Sequence, residues 1–314
     1  MATQSYTKKG SSSFPSEETP TSQPWVPVPY ASHHPLYGQM AAKSGHVNSL
    51  TAHKVKELLG QLKLSARGCE EVLRKRLKSH LRRQLIQSDP APPSDVLSLT
   101  VLNPYGLDYL LVLDFEATCL EKNPPDYIHE IIEFPVLLLN LQTLHVDAEF
   151  HTYVKPVLNP VLSDFCKRLT GIGQTQVDNA PTFSEVFRNF SLWMEEKELG
   201  SKLKFAVLTD CPWDIKECLF PQCVFARVPF PRYTTKWIDV RKLFASFYQM
   251  RSGNLSKMLH HLGLKFEGRE HCGLHDTRNI TRIIVQLITD GCVLKYNRFM
   301  PDDVLKQFDA FRQR

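Results

Sequence analysis

The hydrophobic positions of this chain follow two rhythms. Between residues 51 and 81 they recur every three or four places: Val55, Leu58, Leu59 and Leu62, then Cys69, Val72, Leu73, Leu77 and Leu81. That spacing predicts two short amphipathic helices. Thr51 is placed to cap the first, and KLSARG separates them, with Gly68 supplying the turn. From residue 109 the rhythm changes to short apolar runs. YLLVLDFEA, EIIEFPVLLLNL, AEFHTYVKP and KFAVLTD read as strands. Helical periodicity returns in TFSEVFRNFSLWMEE, DVRKLFASFY, NLSKMLHHLGL and TRNITRIIVQLI. Strands mixed with helices of this length predict an α/β domain with a mixed sheet.

The flanks carry no such rhythm. Residues 1–45 hold six prolines and eight serines with few aliphatic side chains, a composition that predicts a disordered tail. QSDPAPPSD marks residues 87–102 as a proline-rich linker, expected to hold two folded parts apart as a semi-rigid spacer. The expected order is thus a tail over 1–45, a small helical module over 46–86, the linker, the α/β domain over 103–300 and an extension over 301–314.

Charge sharpens this division. The chain carries a formal +5, but residues 46–86 alone hold ten Lys or Arg against three Glu, a net +7. The α/β part is close to neutral, so the positive charge belongs to an appendage suited to a polyanion. In the second helix Arg74, Lys75, Arg76, Lys78, Arg82 and Arg83 fall outside the apolar stripe and are expected on a solvated face, where they can meet phosphates. No run of 18 apolar residues occurs, which argues against a membrane span. Eight cysteines without framework spacing favour free thiols and a cytoplasmic and nuclear location.

The chemistry starts in LLVLDFEATC. Asp114 and Glu116 interrupt an apolar strand, and residues two apart project from the same face. Neither capping nor a turn accounts for them, whereas a hard divalent cation does: Mg²⁺ or Mn²⁺ takes oxygen ligands, and a pair of ions clamps an in-line phosphoryl transfer. Asp210 closes the strand FAVLTD, though it could be a turn acid. Asp276 lies four residues before Ile280 on the core side of its helix, though it could be a helix cap. His271, in the loop REHCGLHD, is a candidate general base. The other readings are an ordinary loop histidine, or with Cys272 half of a zinc site whose loose partners would be Cys218 and Cys223.

Two stretches resemble known families. LTAHKVKELLGQLKLSARGCEEVLRKRL resembles a SAP motif, a small nucleic-acid-binding module. DFEAT, a strand ending in TD, and a His ahead of an Asp resemble the DEDDh 3′–5′ exonucleases. NPP, HEIIEFPV, LSDFC, LTGI and HCGL, in this order behind a SAP-like module, resemble more closely the histone-mRNA stem-loop 3′ exoribonucleases and enhanced-RNAi nucleases. The resemblance covers roughly residues 46–300 and implies an RNase H-like fold. It implies metal ligation by Asp114, Glu116, Asp210 and Asp276, with His271 as general base and two Mg²⁺ ions (Mn²⁺ as the alternative). It further implies RNA contacts at Arg76, Lys78 and Arg82.

The implied activity is 3′–5′ removal of 5′-mononucleotides from structured RNA ends: histone-mRNA stem-loops, small interfering duplexes or ribosomal RNA. A stem-loop-binding protein or ribosomal components are the partners such substrates suggest. A nucleic-acid-binding adaptor with a decayed nuclease and a DNA 3′ exonuclease are the competing classes. Cys211 and His275 depart from the family's TDG and LDD, while Asp210 and Asp276 are retained.

Overall fold

The computed structural model describes residues 34–97, 101–251 and 253–306. Most of the expected tail, residues 1–33, lies outside them. Its last part is not disordered but helical: α1 (Pro35–Ser49) starts with proline in its first turn, where a missing N–H costs nothing. The two predicted helices follow as α2 (Ala52–Gln61) and α3 (Glu70–Ser88). Thr51 Oγ1 accepts from Lys54 N–H at 3.3 Å, the predicted cap. Val47, Val55, Leu59, Leu73 and Leu77 form the core of this module.

The proline-rich stretch does not act as a spacer. It contains α4 (Ser94–Leu97), whose Val96 is buried with Leu36, Met40 and Ile86.

The α/β body is one mixed sheet. Strands β1 (Tyr109–Leu113), β2 (Glu116–Ala117), β3 (Ile131–Asn140) and β4 (Val146–Tyr153) lead into α5 (Asp164–Thr170), α6 (Gln174–Asp178) and α7 (Phe183–Glu196). Then come β5 (Phe205–Thr209), a π-helical turn (Asp214–Leu219), α8 (Phe220–Phe225) and β6 (Lys236–Asp239). Helices α9 (Val240–Tyr248), α10 (Leu255–Leu262) and α11 (Gly273–Thr289) precede β7 (Arg298–Phe299). The sheet order is β2-β3-β1-β5-β6-β7, with β4 on the other side of β3. β3 is antiparallel to β1, β2 and β4; β5 is parallel to β1 and β6.

Side-chain alternation sends the two faces into separate cores. Leu110, Val112, Leu137 and Leu139 pack with α9, α10 and α11. Leu111, Leu113, Val136 and Leu138 pack with α7 and the π-turn. The run YLLVLDFEA is not one strand, because the ladder breaks at Asp114 and Phe115 and resumes as β2. The break frees the Phe115 N–H, which donates to Asp214 Oδ1 at 2.9 Å.

The helical module docks on this body through α3. Val72 is fully buried in the α9–α11 core. Cys69 N–H donates to His261 O at 2.7 Å, and Gly68 (φ +117°) lies so close that a Cβ there would meet His261 O at 2.9 Å. Arg76 corrects the expectation of a solvated basic face, being only 3% exposed. Its Nε donates to Asp290 Oδ1 at 2.7 Å, and one terminal nitrogen donates to Ser65 O and Arg67 O at 2.6 and 2.8 Å. The guanidinium is buried inside the protein, its other terminal nitrogen without a partner, and has no face to offer an RNA phosphate. Arg74 is likewise turned onto Val47 O and Leu50 O, and Lys75 covers the Phe247 ring at 4.6 Å. Of the expected RNA contacts, Arg82 is exposed and Lys78 half-buried.

Candidate active site

Every element that carries an expected catalytic residue ends at one cleft of about 570 Å³. Asp114 sits at the strand break and Glu116 at the start of β2. Asp210 follows the last residue of β5, and Asp276 lies in the first turn of α11. His271 stands in the loop just before α11, in the left-handed region at φ 59°. All five line the cleft.

Glu116, His271 and Asp276 form the tightest group, with ligand atoms all within 4.8 Å of one another. Asp276 is not the cap of α11; its Oδ2 accepts from the His271 N–H at 2.9 Å and so holds the histidine's backbone. The His271 side chain remains exposed. Asp114 and Asp210 line the same cleft without joining the tight group. Asp210 pairs with Arg241, which donates through Nε at 2.9 Å and through a terminal nitrogen to the same Oδ2. Asp210 Oδ1 is buried and has no partner.

The electrostatics are those of a site short of positive charge. Burial pushes the Asp114 carboxyl well above its ordinary range, and the neighbouring Asp214, Asp210, Asp276 and Glu116 push it the same way. Glu116 is raised by burial and then by Asp276. Burial raises Asp276 to about 7 against the opposing His271 N–H bond. Asp210 is raised by burial, with Arg241 opposing.

A hard divalent cation fits this donor set. The donors are carboxylate oxygens, one of them buried and orphaned, and a cation would relieve the repulsion that the acids otherwise answer with protons. The zinc alternative fails on geometry. Cys218 and Cys223 are buried in the apolar core, and among the described residues no group of three possible ligands contains a cysteine. All eight cysteines are free.

Several contributors were missed in the sequence. Asp214, 2% exposed, opens the π-turn, holds the β1–β2 break through Phe115 and is itself raised to about 7 by burial. A π-turn often marks a functional site, but it leaves no sequence signal. Arg241, at the start of α9, carried none either. Glu133 did: it is a lone acid in the apolar run IIEFPV, the same anomaly that exposed Asp114. Each of the two departures makes a short-range bond. His275 Nδ1 accepts from Arg269 N–H at 3.1 Å, and the Cys211 carbonyl accepts from Thr209 Oγ1.

The remaining wall mixes polar residues, among them Asn123, Asn254 and Glu270, with aromatic and apolar ones. Trp213 is 36% exposed and stands edge-on to His129 at 5.3 Å, which stands edge-on to Tyr127 at 5.1 Å. Phe165 and Leu169 come from α5.

Comparison with known proteins agrees with this geometry. Residues 111–284 match the family model described as Exonuclease (RNase_T). The chain is 42% identical over 268 residues to the human protein named 3′-5′ exoribonuclease 1, covering 85% of this chain and 74% of the relative. A structure described as 3′-end specific recognition of histone mRNA stem-loop by 3′-exonuclease superposes with a TM-score of 0.62 at 41% identity, covering 86% of this chain and 91% of that one. The nuclease domain of 3′hExo, a DEDDh family member bound to rAMP, gives 0.61 at 48% identity, covering 63% of this chain and all of that one. The sheet is that of the RNase H-like exonucleases, the five acidic and histidine positions are present, and the chain belongs to the DEDDh 3′–5′ exoribonucleases.

Proposed function

We propose that the protein is a divalent-metal-dependent exoribonuclease that trims structured RNA from the 3′ end and releases 5′-mononucleotides. The convergence of Glu116, His271 and Asp276 on one point of the cleft, with Asp114 and Asp210 beside it, carries this reading. Those four carboxylates would hold the metal. A bound divalent cation supplies Lewis acidity at the phosphate and offsets the charge that develops on the leaving oxygen.

The protein's own residues do the rest. His271, exposed and anchored by Asp276, takes the proton of the attacking water. The water oxygen bonds to phosphorus, the bond to the 3′ oxygen breaks, and that oxygen is protonated to leave a fresh 3′ hydroxyl. Trp213, Phe165 and Leu169 give the terminal bases apolar faces to stack on, a sequence-tolerant contact that suits stepwise trimming.

The basic module would grip the duplex ahead of the cleft. Double-stranded RNA is read mainly by shape and phosphate; Arg83 donates to Thr289 O at 3.3 Å, and Lys78 and Arg82 are cations of α3 suited to that role. The stem-loop seen with the relative supports a hairpin with a short 3′ tail as substrate; small interfering duplexes and ribosomal RNA 3′ ends have the same form.

The test is a gel time course on a 5′-labelled RNA stem-loop with a 3′ tail, in Mg²⁺ and in EDTA, beside a matched DNA hairpin. A ladder shortening from the 3′ end on RNA alone, and only with Mg²⁺, is the expected result. Equal cleavage of the DNA would move the protein to the DNA exonucleases, and binding without cleavage would make it an adaptor.

A further inference from the structure

Glu133 has no place in the chemistry above, yet it is 1% exposed and lies beside the site. It stands directly across the antiparallel ladder from Glu116. Directly opposed residues share a face of the sheet, and like charges in that position are destabilising. A second buried carboxylate next to a metal ligand therefore needs a compensating reason.

Its contacts supply one. Glu133 Oε2 accepts from Gly273 N–H at 2.9 Å and Oε1 from Leu274 N–H at 3.2 Å. These are the first two residues of α11, whose backbone donors have no partner inside the helix. A carboxylate here also meets the positive end of the helix dipole. His151 Nε2 lies 2.9 Å from Oε1 and closes the outer side.

Gly273 makes the joint tight. A Cβ at this position would fall 2.8 Å from the Asp114 carbonyl oxygen and 3.2 Å from Glu133 Oε2. The start of α11 is therefore seated on the backbone of one expected ligand, Asp114, and on the cross-strand neighbour of another, Glu116. Asp276 follows in the first turn of the same helix, and His271 stands two residues before its start.

We infer that Glu133 is a positioning residue that sets the span between the two halves of the metal site, with the β1–β2 carboxylates on one side and Asp276 with His271 on the other. It touches neither metal nor substrate. It acts by pinning the end of α11 to β3. The inference rests on the metal-dependent reading of the cleft.

The test measures Mn²⁺ binding to the full chain by calorimetry, at a temperature where each variant is folded. Glu133→Gln keeps the volume but replaces one acceptor oxygen with an amide donor facing a backbone N–H. It should weaken Mn²⁺ binding by about tenfold or more, as loss of outer partners of metal ligands commonly does. Rate on the RNA stem-loop should fall with it and recover as Mn²⁺ is raised. Glu185→Ala, which removes the capping box of α7 far along the chain, controls for lost stability and should leave Mn²⁺ affinity unchanged.

If Glu133→Gln fails to fold, Glu133→Asp keeps the charge but withdraws the carboxylate and should show the same weakening. Unchanged affinity in the folded Glu133 variant, or equal weakening in Glu185→Ala, would reduce Glu133 to an ordinary core contact. A wild-type protein that binds no Mn²⁺ at all would overturn the metal reading itself, and this inference with it.

Discussion

Two regions of this molecule bury carboxylates, and they treat them in opposite ways. At the junction between the helical module and the body, Asp290 is 1% exposed and fully engaged. Its Oδ1 accepts from Arg76 Nε at 2.7 Å and from Gln286 Nε2 at 2.8 Å, and its Oδ2 accepts from Tyr248 Oη–H at 2.7 Å. In the cleft, Asp114, Glu116, Asp210, Asp214 and Asp276 crowd together, and Arg241 is the only Lys or Arg among the lining residues described. Burial alone does not distinguish a structural charge from a functional one; between these two regions the difference is how far the protein supplies the opposite charge itself. At the junction it does, and the pair joins two parts of the structure. In the cleft Arg241 answers Asp210 alone among five acids, and the remaining deficit is the binding energy offered to a cation.

The comparison can be broken most sharply by removing one acid from the cleft. Asp114→Ala should abolish hydrolysis of the RNA stem-loop while leaving its binding in a gel-shift assay nearly unchanged. A variant that cleaves at the parental rate would place the chemistry elsewhere. At the junction the same kind of change should act on stability instead. Arg76→Ala strands Asp290 and should cost about 3–5 kcal/mol in denaturant unfolding, with the rate on a short single-stranded RNA unchanged where the variant is folded. Replacing both partners, as Arg76→Met with Asp290→Leu, should recover much of that loss. If the double variant is no more stable than the single, the pair contributes more than mutual neutralisation.

Acid should reveal the cleft's deficit without any mutation. Asp276 and Asp214 are each raised to about 7, chiefly by burial. Between about pH 4 and 7 the folded protein therefore holds protons that the unfolded chain has released. Their contribution runs opposite to that of an ordinary paired carboxylate. Stability of the metal-free protein should rise by roughly 2–4 kcal/mol as pH falls from 7.5 to 5.5, read as a higher Tm in EDTA. Saturating Mg²⁺ should flatten that slope, and a Tm that falls over this range in EDTA would deny the cleft its excess of negative charge. The smallest effect belongs to the two cations proposed for the duplex. Lys78→Ala and Arg82→Ala should each lower the salt dependence of duplex binding by about one phosphate contact, while the rate on unstructured RNA stays the same.

Much of this was legible in the chain. The strands and long helices follow from hydrophobic periodicity, and the four carboxylates and His271 follow from acids set in apolar runs and from a family resemblance in ordered motifs. Glu133 carries the same local signal as Asp114 but lacks a second acid two places away to reinforce it. The π-turn, β6 and β7 are too short to build a rhythm of their own.

What the sequence determined by itself is local: which residues prefer a helix or a strand, and which polar groups are out of place among apolar neighbours. What only tertiary structure decided is which charge meets which. Arg76 and Arg82 stand six residues apart in one basic helix and look equivalent in the sequence. One is buried against an aspartate more than two hundred residues away and the other faces solvent. Asp290 and Asp276 likewise belong to one helical segment, yet only Asp290 finds an arginine. Periodicity reports how a segment shows its faces, but the partner of a buried charge is set by long-range packing, whose distances are not written in any local stretch.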